Sequence, residues 1–166
     1  MFDTFTALPT HILVSHFAVV LIPIGASATI AVVLRKAWRE KFAGLLALGN
    51  IGLLAMAFVT LRAGEDLMDR YRELGDTTTP KFDHESLGRT LVWIMLATTI
   101  ASLLLWAAQP MRTKAPAAVL ALTGIAAVLA VTTVWFSYRA GHTGSESHWK
   151  DFIENSNEQR KESAAP

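Results

Sequence analysis

The chain has 166 residues, of which 52% are hydrophobic, and its mean hydropathy is positive. This is too apolar for an ordinary soluble domain of this size, so we expect extensive contact with lipid. The formal net charge of only +1 gives no electrostatic support for a nucleic-acid partner. The chain has no cysteine, which excludes disulfides, thiolate-held iron–sulfur clusters, covalently attached c-type haem and cysteine nucleophiles.

Four apolar segments follow one another along the chain, each near the ~20 residues that cross a bilayer as a helix. We expect these helices at about residues 11–35, 42–63, 80–109 and 115–139. The stretch before the first segment has neither a basic flank nor a small-residue cleavage site, so we interpret that segment as a retained helix. The expected fold is all-α, a four-helix transmembrane up-down bundle over residues 1–143 with a polar tail over 144–166.

The connections between the expected helices differ in charge. Residues 35–41 hold four basic residues and one acidic residue, and residues 109–114 hold two basic residues and no acidic one. The connection over 62–83 and the tail each contain more acidic than basic residues. Because basic loops favour the cytoplasmic side, we expect a multi-pass protein of the bacterial cytoplasmic (inner) membrane, with both termini outside.

Four of the five histidines lie at ends of the apolar segments. His11 and His16 open the first segment, His84 opens the third and His142 lies just past the fourth, whereas His148 lies in the tail and receives no ligand role. Segments that alternate in direction place the first four at the same, outer end of the bundle. Ionisable groups near lipid are costly and usually functional, so we expect a metal centre there, with haem the favoured group.

Two neutral imidazoles from different helices can hold a b-type haem without covalent bonds. We expect His16 and His84 to be the axial pair, because His16 lies about 7.5 Å deeper than His11 along an ideal helix and the first and third helices can face each other diagonally. His11 and His142 would bind the propionates or ligate a second metal. The candidate arginine partners of the propionates near the same face are Arg62, Arg89 and Arg139.

Two other functions fit the same pattern. One is a protein that binds or transports copper, zinc or iron through His11, His16, His84 and His142, as imidazole suits these ions. Few polar residues occupy the middle of the segments, which argues against a path across the membrane. The other is a structural subunit of a redox complex, without its own cofactor. The small residues of the second segment would also suit a homo-oligomer. We favour an electron-transfer protein over a stand-alone enzyme.

The first segment also carries a family resemblance. The run LPTHILVSHFAVVLIPIGA resembles the opening of the DUF2231 family of small bacterial four-helix membrane proteins and places His11 and His16 on that motif's two histidines. His84 in KFDHESLG, and Tyr138 and His142 in FSYRAGHTG, resemble later family positions. The resemblance implies a membrane cytochrome in a redox setting, with a Rieske-like or cytochrome c-like protein as its partner. The expected haem at the outer face makes quinol a further candidate partner.

Overall fold

The computed structural model describes residues 4–5, 8–75 and 82–163. Its four long helices are α1 (Thr10–Leu34), α2 (Lys36–Glu73), α3 (Phe82–Ala108) and α4 (Pro116–Ser163). A short 3₁₀ turn, Gln109–Met111, follows α3, and two paired two-residue strands, Thr4–Phe5 and Leu8–Pro9, precede α1. The expected all-α four-helix architecture is confirmed.

Each helix contains a segment long and apolar enough to cross a membrane. These segments are Thr10–Leu34, Lys36–Glu73, His84–Met111 and Pro116–Glu146. Large apolar side chains cover the outside of the bundle, whereas small residues and threonines fill much of its interior. Examples on the outer surface are Ile24, Leu45, Leu104 and Val128. This distribution is the one expected of a bundle that lipid surrounds.

The helices pack in a square, with α1 against α2 and α4, and α3 against the same two helices. Therefore α1 and α3 lie diagonally across the core, as expected. Midway along the bundle, Asn50 of α2 joins three helices: its Nδ2 donates to Ser102 Oγ at 2.9 Å and to Thr29 Oγ1 at 3.3 Å. Its backbone carbonyl accepts a hydrogen bond from Thr99 Oγ1 at 3.2 Å.

The ends of α2 and α4 differ from those expected. Helix α2 begins at Lys36 instead of residue 42 and continues to Glu73 instead of residue 63. Helix α4 continues to Ser163 instead of ending near residue 139, so the expected polar tail forms part of α4 as far as the structure describes it. Hydropathy marks where lipid contact ends, but lysine, arginine, glutamate and glutamine are good helix formers that extend a helix into water. The expected first turn of the third helix, residues 80–81, lies outside the described residues.

Candidate cofactor site between His11 and His84

The rings of His11 and His84 meet edge to face at the end of the bundle where α1 and α3 begin. Their centroids are 6.2 Å apart and their planes are inclined by 79°. Both residues are half-buried. Two imidazoles from diagonal helices therefore meet where the sequence predicts a histidine cluster.

His11 is held by the helix that follows it in the chain. Its Nδ1 lies 3.0 Å from the carbonyl oxygen of Thr60 in α2. Because a carbonyl only accepts hydrogen bonds, Nδ1 must carry the proton, which leaves Nε2 with a free lone pair in the neutral ring. Gly64, one turn beyond Thr60, lies against the ring: a methyl group there would be 2.9 Å from His11 Nδ1. The glycine thus provides the space that the imidazole occupies.

His84 is held in the same way by α4. Its Nδ1 lies 3.1 Å from the carbonyl oxygen of Ala140, and the Thr143 hydroxyl is 3.4 Å from the same nitrogen. Gly144, one turn beyond Ala140, lies against the ring, and a methyl group there would be 2.9 Å from His84 Cε1. Both helical hairpins therefore repeat one arrangement: a histidine on the first helix, a carbonyl on the second, and a glycine one turn further on.

A cavity of about 200 Å³ adjoins the two rings. This far exceeds the single-water voids of packed protein interiors. Its deeper walls are mainly apolar, with Ala18, Ile22, Ala57, Leu91 and Val92 among them. Apolar walls with a few converging polar groups are typical of cofactor pockets.

Charged residues surround the outer part of this cavity. Glu65 and Glu85 line it, and Arg89 bridges them, with Nη2 at 3.2 Å from Glu65 and 3.1 Å from Glu85. Arg62 pairs with Glu65 at 2.8 Å. Arg139, the third candidate, is exposed on α4. Two of the three expected arginines therefore lie beside the carboxylates of the cavity.

The other two candidate histidines point away from the cavity. His16 is exposed, and its Nδ1 bonds to the Ile12 carbonyl of its own helix at 2.5 Å. His142 is also exposed, with its Nδ1 3.9 Å from a Glu146 carboxylate oxygen. The expected pairing of His16 with His84 is thus not the one that forms. Five residues turn a helix through about 500°, so the side chains of His11 and His16 point about 140° apart. In this structure it is the shallower residue, His11, that faces the core.

The donor set distinguishes between the possible occupants. No group of three or more histidine, aspartate or glutamate side chains suited to a metal ion occurs within residues 4–5, 8–75 and 82–163, whereas protein zinc sites generally use three or four. Haem iron carries four ring nitrogens of its own and needs only axial ligands. His11 and His84, with ring centroids 6.2 Å apart, are the two side chains here that could supply such ligands. Among the described residues, two imidazoles without a third donor are therefore a set that would suit a haem better than a bare metal ion.

Sequence reasoning missed the groups that hold the two rings. Neither the carbonyls of Thr60 and Ala140 nor the packing of Gly64 and Gly144 was predicted. Backbone carbonyls carry no sequence signal. The glycines could have been noticed, since each lies near the histidine end of a long helix, where a small residue permits close approach of a neighbour.

The fold and the paired histidines define a small four-helix transmembrane protein with a histidine-flanked cavity at one end of its bundle. A family described as "Predicted membrane protein (DUF2231)" matches residues 7–157, nearly the whole chain, and the protein belongs to this family. The resemblance stated from the sequence is therefore confirmed. No curated protein and no solved structure matches the chain.

Proposed function

We propose that this protein binds a b-type haem between His11 and His84 and transfers electrons at the outer face of the bacterial cytoplasmic membrane. One observation carries the proposal: two imidazoles from diagonal helices meet with their ring centroids 6.2 Å apart, each with its Nδ1 bonded to a backbone carbonyl. A carbonyl partner fixes the ring's orientation and tautomer and makes its other nitrogen a stronger ligand.

The chain itself would determine the behaviour of the bound group, whose iron supplies a one-electron couple. The apolar walls exclude water, while Arg62 and Arg89 lie on the solvent side, where they can pair with propionates. To do so they would exchange their present partners, Glu65 and Glu85.

The location of the cavity supports a role between lipid and the aqueous phase. It lies near one end of the spans, where quinol in the bilayer and a cytochrome c-like or Rieske-like protein outside could both approach. The basic residues around the α1–α2 connection and those after α3 support an orientation with this end outside. We propose quinol or such a protein as the redox partner.

The haem content of histidine variants tests the ligand assignment. His11→Ala and His84→Ala should each lower the haem-to-protein ratio of the purified protein at least about 10-fold, since each removes an axial ligand. His16→Ala is the matched control, because His16 lies on the same helix as His11 but is exposed. It should retain the wild-type ratio, as should His142→Ala.

Three results would contradict the assignment. Loss of haem in His16→Ala, with retention in His11→Ala, would restore the pairing expected from the sequence. Protein from haem-replete cells that contains stoichiometric copper, zinc or iron but no haem would favour an ion-binding protein, and protein with neither would favour a structural subunit.

A further inference from the structure

Four charged side chains form a connected network at the outer part of the histidine cavity. We call this network the charged rim: it consists of Arg62 and Glu65 of α2 and of Glu85 and Arg89 of α3. Glu65 bonds to both arginines, with its Oε2 2.8 Å from Arg62 Nη1 and its Oε1 3.2 Å from Arg89 Nη2. The contact with Arg89 joins α2 to α3, and therefore one helical hairpin to the other.

Glu65 is the least exposed member of the charged rim, and it lines the cavity itself. Its side chain is 25% exposed, whereas the side chains of the other three members are 47% to 58% exposed. It directly follows Gly64, which lies against the ring of His11. A carboxylate that is already bonded to two arginines is therefore placed at the cavity wall.

The second hairpin has no carboxylate at the equivalent position. Gly64 and Gly144 each lie one turn beyond the carbonyl that holds the imidazole of their hairpin. The residue after Gly64 is Glu65, whereas the residue after Gly144 is Ser145, which is uncharged and exposed. Because the second hairpin holds its histidine without a carboxylate there, Glu65 is not needed to hold an imidazole. A role toward the contents of the cavity explains it better.

The charges of the rim oppose a ligand that carries carboxylates of its own. Its two arginines and two glutamates have a formal net charge of zero. The propionates of a haem would add two negative charges. The N–H groups that Arg62 and Arg89 donate to Glu65 are not available to a propionate at the same time. Once released, the Glu65 carboxylate would also repel the propionates.

We propose that Glu65 is an internal competitor of the haem propionates and lowers the affinity of this site for haem. The proposal rests on the proposed function, because it requires that haem binds in this cavity. In the empty protein, Glu65 occupies Arg62 and Arg89 in place of the propionates. Binding of the propionates releases Glu65 and opens the ion pair between α2 and α3, so that haem is held exchangeably.

Titration of the purified apoprotein with haemin tests the competition. Glu65→Gln keeps the size of the side chain but removes its charge, so it should bind haemin about 3- to 10-fold more tightly than the wild type. Asp69→Asn is the matched control, because Asp69 lies one turn further along α2, where it is exposed and pairs with Arg72. This variant makes the same charge change outside the charged rim and should bind haemin like the wild type.

Haemin dimethyl ester separates competition for the arginines from a general change in the cavity. Both of its propionates are uncharged esters, so the wild type and Glu65→Gln should bind it with equal affinity. Thermal unfolding of the apoproteins gives a second readout. Apo Glu65→Gln should unfold at no higher temperature than the wild type, because it loses the ion pair between the hairpins.

Several outcomes would overturn the proposal. Equal or weaker binding of haemin by Glu65→Gln would do so, as would an equal gain in affinity for the dimethyl ester or in Asp69→Asn. A higher unfolding temperature of apo Glu65→Gln would attribute its tighter binding to a more stable fold. Failure of the wild type to bind haemin would contradict the proposed function and the competition together, whereas equal binding by the wild type and Glu65→Gln would contradict the competition alone.

Discussion

At the scale of single residues, the two glycines beside the site histidines determine whether each imidazole can reach its carbonyl. Gly64 and Gly144 lie where a Cβ atom would come within 3 Å of the ring of His11 or His84. Contacts this short force the ring to move. A displaced ring would lose the hydrogen bond that fixes its orientation.

We therefore predict that Gly64→Ala and Gly144→Ala each weaken haem binding, by about 10-fold or more if the carbonyl bond breaks. Titration of the apoprotein with haem, together with the low-spin optical signature of the complex, measures the effect. The optical signature separates two causes of weaker binding. A variant that only folds less well would bind less haem with an unchanged spectrum, whereas displacement of one imidazole would give the spectrum of a haem with one axial histidine.

Matched controls exist on the same two helices. No described atom outside their own helical surroundings lies within 4 Å of a Cβ built at Gly52 of α2 or Gly124 of α4. Gly52→Ala and Gly124→Ala should therefore leave haem affinity unchanged. Equal losses in the controls and the site variants would show that the glycines do not act through the imidazoles.

The difference between His11 and His16 shows how far the sequence could go at this scale. The five-residue spacing requires that the two rings diverge, and the sequence therefore predicted separate roles for them. It could not determine which ring faces the core, because that depends on how α1 is rotated against its neighbours. Depth along the helix favoured His16, but the rotation of α1 brings His11 to His84.

At the scale of helices, the hydrogen bonds of Asn50 join α2 to α1 and α3. Its two hydroxyl partners also bond within their own helices: Thr29 Oγ1 donates to the Gly25 carbonyl at 2.9 Å and Ser102 Oγ to the Thr98 carbonyl at 2.8 Å. Removal of the amide therefore leaves these hydroxyls with partners. The loss should therefore come from the cross-helix bonds and the packing of the amide itself.

Accordingly, Asn50→Ala should lower the free energy of unfolding by about 1 kcal/mol, the range measured for such bonds in membrane proteins. Reversible unfolding in mixed micelles measures this difference. Thr132→Ala is the control, because the Thr132 hydroxyl donates to the Val128 carbonyl of its own helix. A loss no larger for Asn50→Ala than for Thr132→Ala would contradict the role of Asn50 in joining the helices.

The lengths of the helices show a second limit of sequence reasoning. The apolar segments predicted the number and order of the spans, because lipid imposes a strong hydropathy signal. They did not predict that α2 continues to Glu73 and α4 to Ser163. Those extensions consist mostly of polar residues, and hydropathy alone does not distinguish a polar helix from a loop. One consequence is that Gly144 of α4 reaches His84.

At the scale of the whole molecule, the cavity lies between two hairpins of equivalent design. The α1–α2 hairpin supplies His11 with Thr60 and Gly64, and the α3–α4 hairpin supplies His84 in the same manner. The sequence gives no evident long repeat, so this correspondence emerges only from the packing. A ligand bound by both imidazoles would link the hairpins, so haem should raise the unfolding temperature of the protein by mass action.

The orientation of the molecule gives a separate prediction. Because basic residues concentrate around the α1–α2 connection and after α3, these parts should face the cytoplasm. Alkaline phosphatase, which is active only outside the cytoplasm, should be active when fused to the C-terminus and inactive when fused after Lys114. The reverse activities would place the His11–His84 cavity at the cytoplasmic face.

The central claim is that His11 and His84 together ligate one haem iron. The most direct test is the reduced-minus-oxidised optical spectrum of detergent-purified wild-type protein from haem-replete cells. We predict the sharp bands of a six-coordinate, low-spin b-type haem, with non-covalent haem extractable into acidic acetone. Purified, folded protein without haem absorbance, or with the spectrum of a five-coordinate haem, would contradict the claim.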